Sequence, residues 1–160
     1  MAEPRWLNEE ERRAWLAFII GTRLLFAEFE RDLQRDAKMP LTYYEILSVL
    51  SGMPNCSMRL SDLAEALQVS PSRLSHAVDR MQESGWVERR RCPSDRRGWL
   101  AVLTDKGYAV LEAAAPTHVE SVRSHLFDQL TPEQVEQMRA IGEALIEHLA
   151  QGRTPALSRE

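Results

Sequence analysis

At 160 residues the chain is long enough for one domain, or for one domain with helical extensions. A composition of 44% hydrophobic and 28% charged residues excludes a disordered polymer, and the most apolar run, Ala14–Ile20, is too short to cross a bilayer. The two cysteines, Cys56 and Cys92, exclude a disulfide framework and a zinc spacing; with an N-terminus lacking a secretory pattern, they predict a cytoplasmic protein.

The formal net charge of -4 hides an asymmetry. From Arg59 to Lys106, nine basic residues outnumber seven acids, a balance of +2, while the rest of the chain carries -6. Lys38 and Lys106 are the only lysines. The basic groups are therefore mainly arginines, which suit bidentate contacts to phosphates and base edges.

Along the chain, Asn8 and Glu11 form a capping box that opens a long helix. Its apolar residues, Trp15 to Leu33, exceed what one buried face requires, which predicts packing against another subunit. Thr42 with Glu45 predicts the cap of a second helix, stapled by Leu41 and Ile46 and stopped at Gly52. Ser61 is expected to cap a short helix. After a turn at Val69, Ser70 and Pro71 open another, with Leu74, Val78 and Met81 as its buried stripe and Gly85 as its end. Helix, turn, helix is the helix-turn-helix pattern, and its second helix exposes Ser72, Arg73, Ser75, His76, Asp79 and Arg80.

A hairpin follows: Trp86–Arg91 as one strand, the stretch 93–98 as the turn, Trp99–Leu103 as the return. Five arginines, Arg89, Arg90, Arg91, Arg96 and Arg97, crowd this hairpin. Strand alternation places Arg89 and Arg91 opposite Arg90, so the three cannot share one contact surface. Thr104 caps a long helix expected to bend near Pro116. Thr131, Pro132 and Gln134 open the last helix, which runs to about Ala150 and stops at Gly152 before a frayed tail.

The order of elements, Asp95-x-Arg97 followed after five residues by Leu103-Thr104 and then Gly107, and the stretch RLSHAVDRMQESGWVERR at 73–90 resemble the MarR family of bacterial transcription regulators. The resemblance covers roughly residues 8–150. It implies a mainly α fold with a small β-hairpin wing: a winged helix-turn-helix whose N- and C-terminal helices form a dimerisation platform. The corresponding division is 1–40 and 105–160 for the platform and 41–104 for the DNA-binding lobe.

The resemblance further implies a homodimer on double-stranded DNA, with a pseudo-palindromic operator and repression as the expected outcome. The recognition helix would present Ser70, Ser72, Arg73, Ser75 and His76, with Arg80 further along. Arg73 is the best candidate for bidentate base reading. The wing would follow the minor groove through Arg97, the arginine that matches the family's motif, with Asp95 steadying it. Arg89, Arg90, Arg91 and Arg96 are phosphate candidates. A small aromatic or phenolic effector is expected between lobe and platform, near Trp15, Arg23, Tyr43, Tyr44 or His118.

Other readings remain open at this point. A winged-helix module that binds protein would not need the wing arginines. A redox-sensing regulator would use Cys56 or Cys92, the latter activated by neighbouring arginines. A small-molecule carrier would bind its ligand with no effect on DNA affinity. No enzyme, metal or cofactor is expected: Ser75 and His76 are adjacent on a helix and diverge, and the histidines show no metal spacing.

Overall fold

Helix α1, Glu9–Asp32, begins where its sequence requires. The Asn8 side chain accepts from the Glu11 N–H at 2.9 Å, and the Glu11 carboxylate accepts from the Asn8 N–H at 2.8 Å. The computed structural model describes residues 3–93 and 95–150, with the backbone alone at 95–97. Only the end of α1 is buried, at Phe29 and Asp32, while Trp15, Leu16, Phe18, Ile20 and Leu24 stay exposed. A π-helical turn, Leu33–Ala37, and a left-handed Lys38 redirect the chain toward Pro40.

Helix α2, Leu41–Ser51, corrects the expected cap at Thr42. Pro40 is the capping residue and supplies no side-chain acceptor; the Leu41 N–H instead donates to Glu30 Oε2 of α1 at 2.8 Å. A carboxylate eleven residues upstream thus does the work of a local cap. The expected cap at Ser61 is also corrected. A three-residue strand, β1 (Ser57–Arg59), runs directly into α3 (Leu60–Ala66), so Arg59 occupies the capping position and Ser61 Oγ donates to Asp62. Helix α4, Pro71–Glu83, matches expectation: the Ser70 side chain accepts from the Arg73 N–H, Leu74, Val78 and Met81 are buried, and Gly85 ends the segment at φ 73°.

Strands β2 (Val87–Cys92) and β3 (Asp95–Leu103) form the wing hairpin. β3 is the middle strand of a three-stranded antiparallel sheet, paired with β2 on one side and β1 on the other. Its length corrects the six-residue turn. Cys92 pairs with Asp95 after a register shift between Arg91 and Cys92, which brings Asp95–Gly98 into the strand. Ser94, within that turn, lies outside the described residues, as do Gly152 and the tail after it.

The hairpin is joined to helix α5 (Asp105–His125) at Thr104. Its hydroxyl accepts from the Gly107 N–H at 3.0 Å and lies 2.7 Å from the Gly85 carbonyl, to which it donates. Lys106 reaches back to the Ser84 carbonyl at 2.8 Å, placing a cation at the C-terminal end of α4. α5 continues through Pro116 as one helix and packs on α1 and α2. Thr131 and Gln134 then form the expected box for α6, Pro132–Ala150.

The core gathers Leu33, Ile46, Leu47 and Leu50 with Leu63, Leu74, Val78, Met81 and Val87, all at most 1% exposed. Burying each such side chain contributes about 1.5–3 kcal/mol. This core fixes α4 against α2, α3 and the sheet. α6 contributes nothing to it: none of its residues is buried, and Ile141, Ile146 and Leu149 are at least half exposed.

Candidate nucleic-acid interface

The amphipathic helix α4 divides its residues cleanly. Leu74, Ala77, Val78 and Met81 face the core, while Ser70, Ser72, Arg73, His76 and Arg80 are exposed. Ser70 holds the first turn through a 3.3 Å bond from the Arg73 N–H, and its hydroxyl lies 3.2 Å from that of Ser72. Pro71 occupies the first helical position, where a missing N–H leaves nothing unpaired. The remaining free N–H groups and the positive end of the helix dipole favour an anion such as phosphate. Arg73 has no ion-pair partner among the described residues. Arg80 pairs with Glu83 at 3.3 Å, an exposed contact worth little.

Ser75 stands apart from that outward group. It is half-buried, and its hydroxyl and carbonyl oxygens both accept from Arg89 Nη2, at 2.8 and 3.0 Å. The same nitrogen lies 2.9 Å from Asp79 Oδ1. Arg89 therefore turns inward against α4, which corrects its place among the phosphate candidates. Arg90, on the opposite face of β2, stays exposed and bonds Glu88 through Nε and Nη2 at 3.1 and 2.8 Å. Arg91 stacks over the ring of its cross-strand partner Trp99, 4.1 Å from the centroid. Arg96 and Arg97 lie on β3; their side chains, and the steadying role expected of Asp95, fall outside the described residues.

The residues expected around an effector separate into groups. The rings of Tyr44 and His118 lie 4.4 Å apart, and Phe29 meets His118 edge-on at 5.6 Å. Burial lowers the His118 pKa and raises that of Tyr44, favouring the neutral form of each. His118 Nδ1 is buried without a hydrogen-bond partner among the described residues. Beside Tyr44, burial and the Glu30 carboxylate raise the Glu45 pKa. Tyr43 packs instead on Trp86 at 6.4 Å. Trp15 and Arg23 are exposed on α1, and Trp15 sits about 21 Å along that helix from Phe29.

An open cleft of about 500 Å³ is lined by Asp32, Arg35, Glu120, Ser121 and His125 among others, and by none of the five expected effector residues. Asp32 is buried and accepts from Ser121 Oγ at 2.7 Å, His125 Nε2 at 2.9 Å and Arg35 Nη1 at 2.8 Å. Serine and histidine bond the same carboxylate oxygen, so the imidazole does not stand between hydroxyl and acid. The hydroxyl donates to the acid and is not activated as a nucleophile.

A model of the MarR family matches residues 37–98. A MarR family transcriptional regulator from Streptomyces coelicolor, Sco3205, crystallised in complex with DNA, is 46% identical, with a TM-score of 0.86 over 93% of each chain. This chain belongs to the MarR family. AbsC, another MarR family regulator from Streptomyces coelicolor, is 42% identical, with a TM-score of 0.83 over 92% of this chain and 99% of its own. The regulator PecS of Dickeya dadantii is 29% identical over 118 residues, covering 72% of this chain and 70% of its own.

Three features of this MarR chain escape its sequence pattern. Phe29 joins Tyr44 and His118, and the helical spacing of α1 marks it only as apolar. Trp99 supports Arg91, which follows once the hairpin register is known. Cys92 is buried at 6% exposure, which shields the thiol that a redox-sensing reading would have the neighbouring arginines activate; Cys56 is a half-buried thiol outside any disulfide.

Proposed function

We propose that this MarR family chain is a dimeric transcriptional regulator that binds a pseudo-palindromic double-stranded DNA operator sequence-specifically and acts as a repressor in the cytoplasm. The observation that carries this reading is the outward face of α4, with Ser70, Ser72, Arg73, His76 and Arg80 exposed beside an arginine-bearing wing. The 46% identical relative crystallised in complex with DNA supports DNA as the partner. Residues 41–104 form the DNA-binding lobe, and 1–40 with 105–160 form the dimer platform. The uncovered apolar residues of α1 and α6 support a second copy as the platform's partner.

In this reading Arg73 contacts base edges, Arg90, Arg96 and Arg97 meet phosphates or the minor groove, and Asp95 steadies the wing. A small aromatic or phenolic ligand that favours a dimer with wrongly spaced recognition helices releases the operator. The clustered rings of Tyr44, His118 and Phe29, with a His118 Nδ1 that has no hydrogen-bond partner among the described residues, support an aromatic ligand carrying a polar group.

Fluorescence anisotropy with duplexes selected from random-sequence DNA, over a salt series, tests the reading. Binding should weaken steeply with salt. Arg73→Ala should lose tenfold or more in affinity and relax base preference. Arg97→Ala should weaken all sequences alike and make the salt slope shallower by about 1. Salt-insensitive binding, or no selected duplex at all, would refute DNA recognition.

A further inference from the structure

We infer that Arg89 is a positioning residue for DNA recognition: it locks the recognition helix to the wing and masks Asp79, without touching DNA itself. The inference rests on the DNA-binding reading above. Arg89 stands in the middle of β2, opposite Ala101 of β3, on the face of the hairpin turned toward α4. Its Nη2 reaches three acceptors on α4: the Ser75 carbonyl, the Ser75 hydroxyl and Asp79 Oδ1, all within 3.0 Å. Ser75 and Asp79 are one helical turn apart, so a single guanidinium grips two successive turns of one helix face.

Two observations separate Arg89 from the other wing arginines. Its side chain is 22% exposed, against 63% for Arg90. Its Nε is buried and has no hydrogen-bond partner among the described residues, so the group is held inside the helix–wing junction and does not extend into solvent. Asp79, by contrast, is 52% exposed, a carboxylate on the helix that is to meet a polyanion. Without Arg89 that charge is unmasked beside the DNA, and the angle between helix and wing loses its polar tie. Both effects act on the docked geometry, so they should fall on specific binding more than on non-specific binding.

The experiment uses the full chain, a duplex selected by the wild type and poly(dI-dC) as non-specific DNA, with Arg89→Met, Arg89→Lys, Asp79→Asn and the double variant R89M/D79N. Arg89→Met should weaken the selected duplex at least tenfold, with the salt slope unchanged and non-specific affinity within about twofold. Arg89→Lys keeps the charge but not the fork, and should lose at least fivefold. The loss from Arg89→Met should be at least threefold smaller in the Asp79→Asn background. A salt slope shallower by about 1, with lysine as good as arginine, would make Arg89 a phosphate contact and overturn the proposal. Unchanged affinity in both Arg89 variants would leave it a structural support only. A wild-type chain that selects no duplex removes the DNA-binding reading itself, whereas wild-type binding with unaffected variants removes Arg89 alone.

Discussion

Replacing Gly107 by alanine probes the joint between wing and platform. A Cβ at this position would lie 2.0 Å from the Trp86 carbonyl oxygen, 2.9 Å from its carbon and 2.8 Å from Leu103 Cδ1. Ordinary contact needs about 3.5 Å, so α5 and the start of β2 must separate by roughly 1.5 Å. The carbonyl cannot turn aside freely, because it accepts from the Thr104 N–H and is 3.1 Å from the Thr104 hydroxyl. Overpacking costs about 1–3 kcal/mol, and each hydrogen bond given up about 1 more. The total is about 3–5 kcal/mol, which for a chain of this size lowers Tm by roughly 6–20 °C. Thermal unfolding followed by circular dichroism, at one fixed protomer concentration, measures it. Intrinsic propensity points the other way, since alanine outranks glycine in a helix by about 1 kcal/mol. A Tm unchanged within 2 °C, or raised, would refute the close approach of α5 to Trp86.

Other substitutions test the remaining supports. Ser70→Ala removes the acceptor for the Arg73 N–H and should cost about 1 kcal/mol in chemical denaturation, with weaker DNA binding as α4 frays; full retention of both would refute the cap's role. Ile141 and Leu145 are 57% and 41% exposed, together about one aliphatic side chain of uncovered surface per protomer. The double variant I141E/L145E should forfeit roughly 5 kcal/mol across a symmetric dimer, more than a thousandfold in dissociation constant, and sedimentation unchanged from wild type would refute that interface. Asp32 has a pKa lowered first by its bond from Ser121, then by His125 and Arg35. Its contribution is therefore present above the unfolded value near 4 and lost as pH falls through the folded one. Asp32→Asn should cost about 2 kcal/mol at pH 7, with the gap to wild type closing below about pH 4 in urea titrations; a gap constant with pH would refute the ionised network.

What the sequence made legible was mostly local. The caps at Asn8, Ser70, Thr104 and Thr131 each use a partner three residues away, and all four form. The misjudged starts depend on distant chain. α2 opens on Glu30 of another helix, and α3 opens where it does because β1 delivers the chain there. β1 is three residues long and exists only as the edge partner of β3, so no periodicity within it could signal a strand. The wing arginines show the same limit at the site. Alternation separates Arg89 from Arg90 but cannot say that a helix lies beneath one face, nor that Arg91 meets Trp99.

Burial along the chain joins folding to function. Leu33 through Ala114 supply nearly all the buried hydrophobic residues, whereas α1 before Phe29 and the whole of α6 supply none. Most helical stability in proteins comes from packing an apolar face and not from propensity, so these segments need a partner surface to persist. If the partner is a second copy, ordering the platform and forming the dimer are one event. The core shared by Phe29 through Ala114 does not depend on those exposed segments, and with Arg89 it would keep α4 and the wing aligned in either state. Dimerisation then governs the spacing between two recognition helices, and the helix–wing junction governs the angle of each. Substitutions in α6 should therefore weaken operator binding in a way that rising protein concentration restores. Substitutions at Arg89 should weaken it in a way that concentration does not restore beyond ordinary mass action. Binding isotherms measured across protomer concentrations separate the two, and an Arg89 variant rescued like an α6 variant would show that spacing and angle are not set independently.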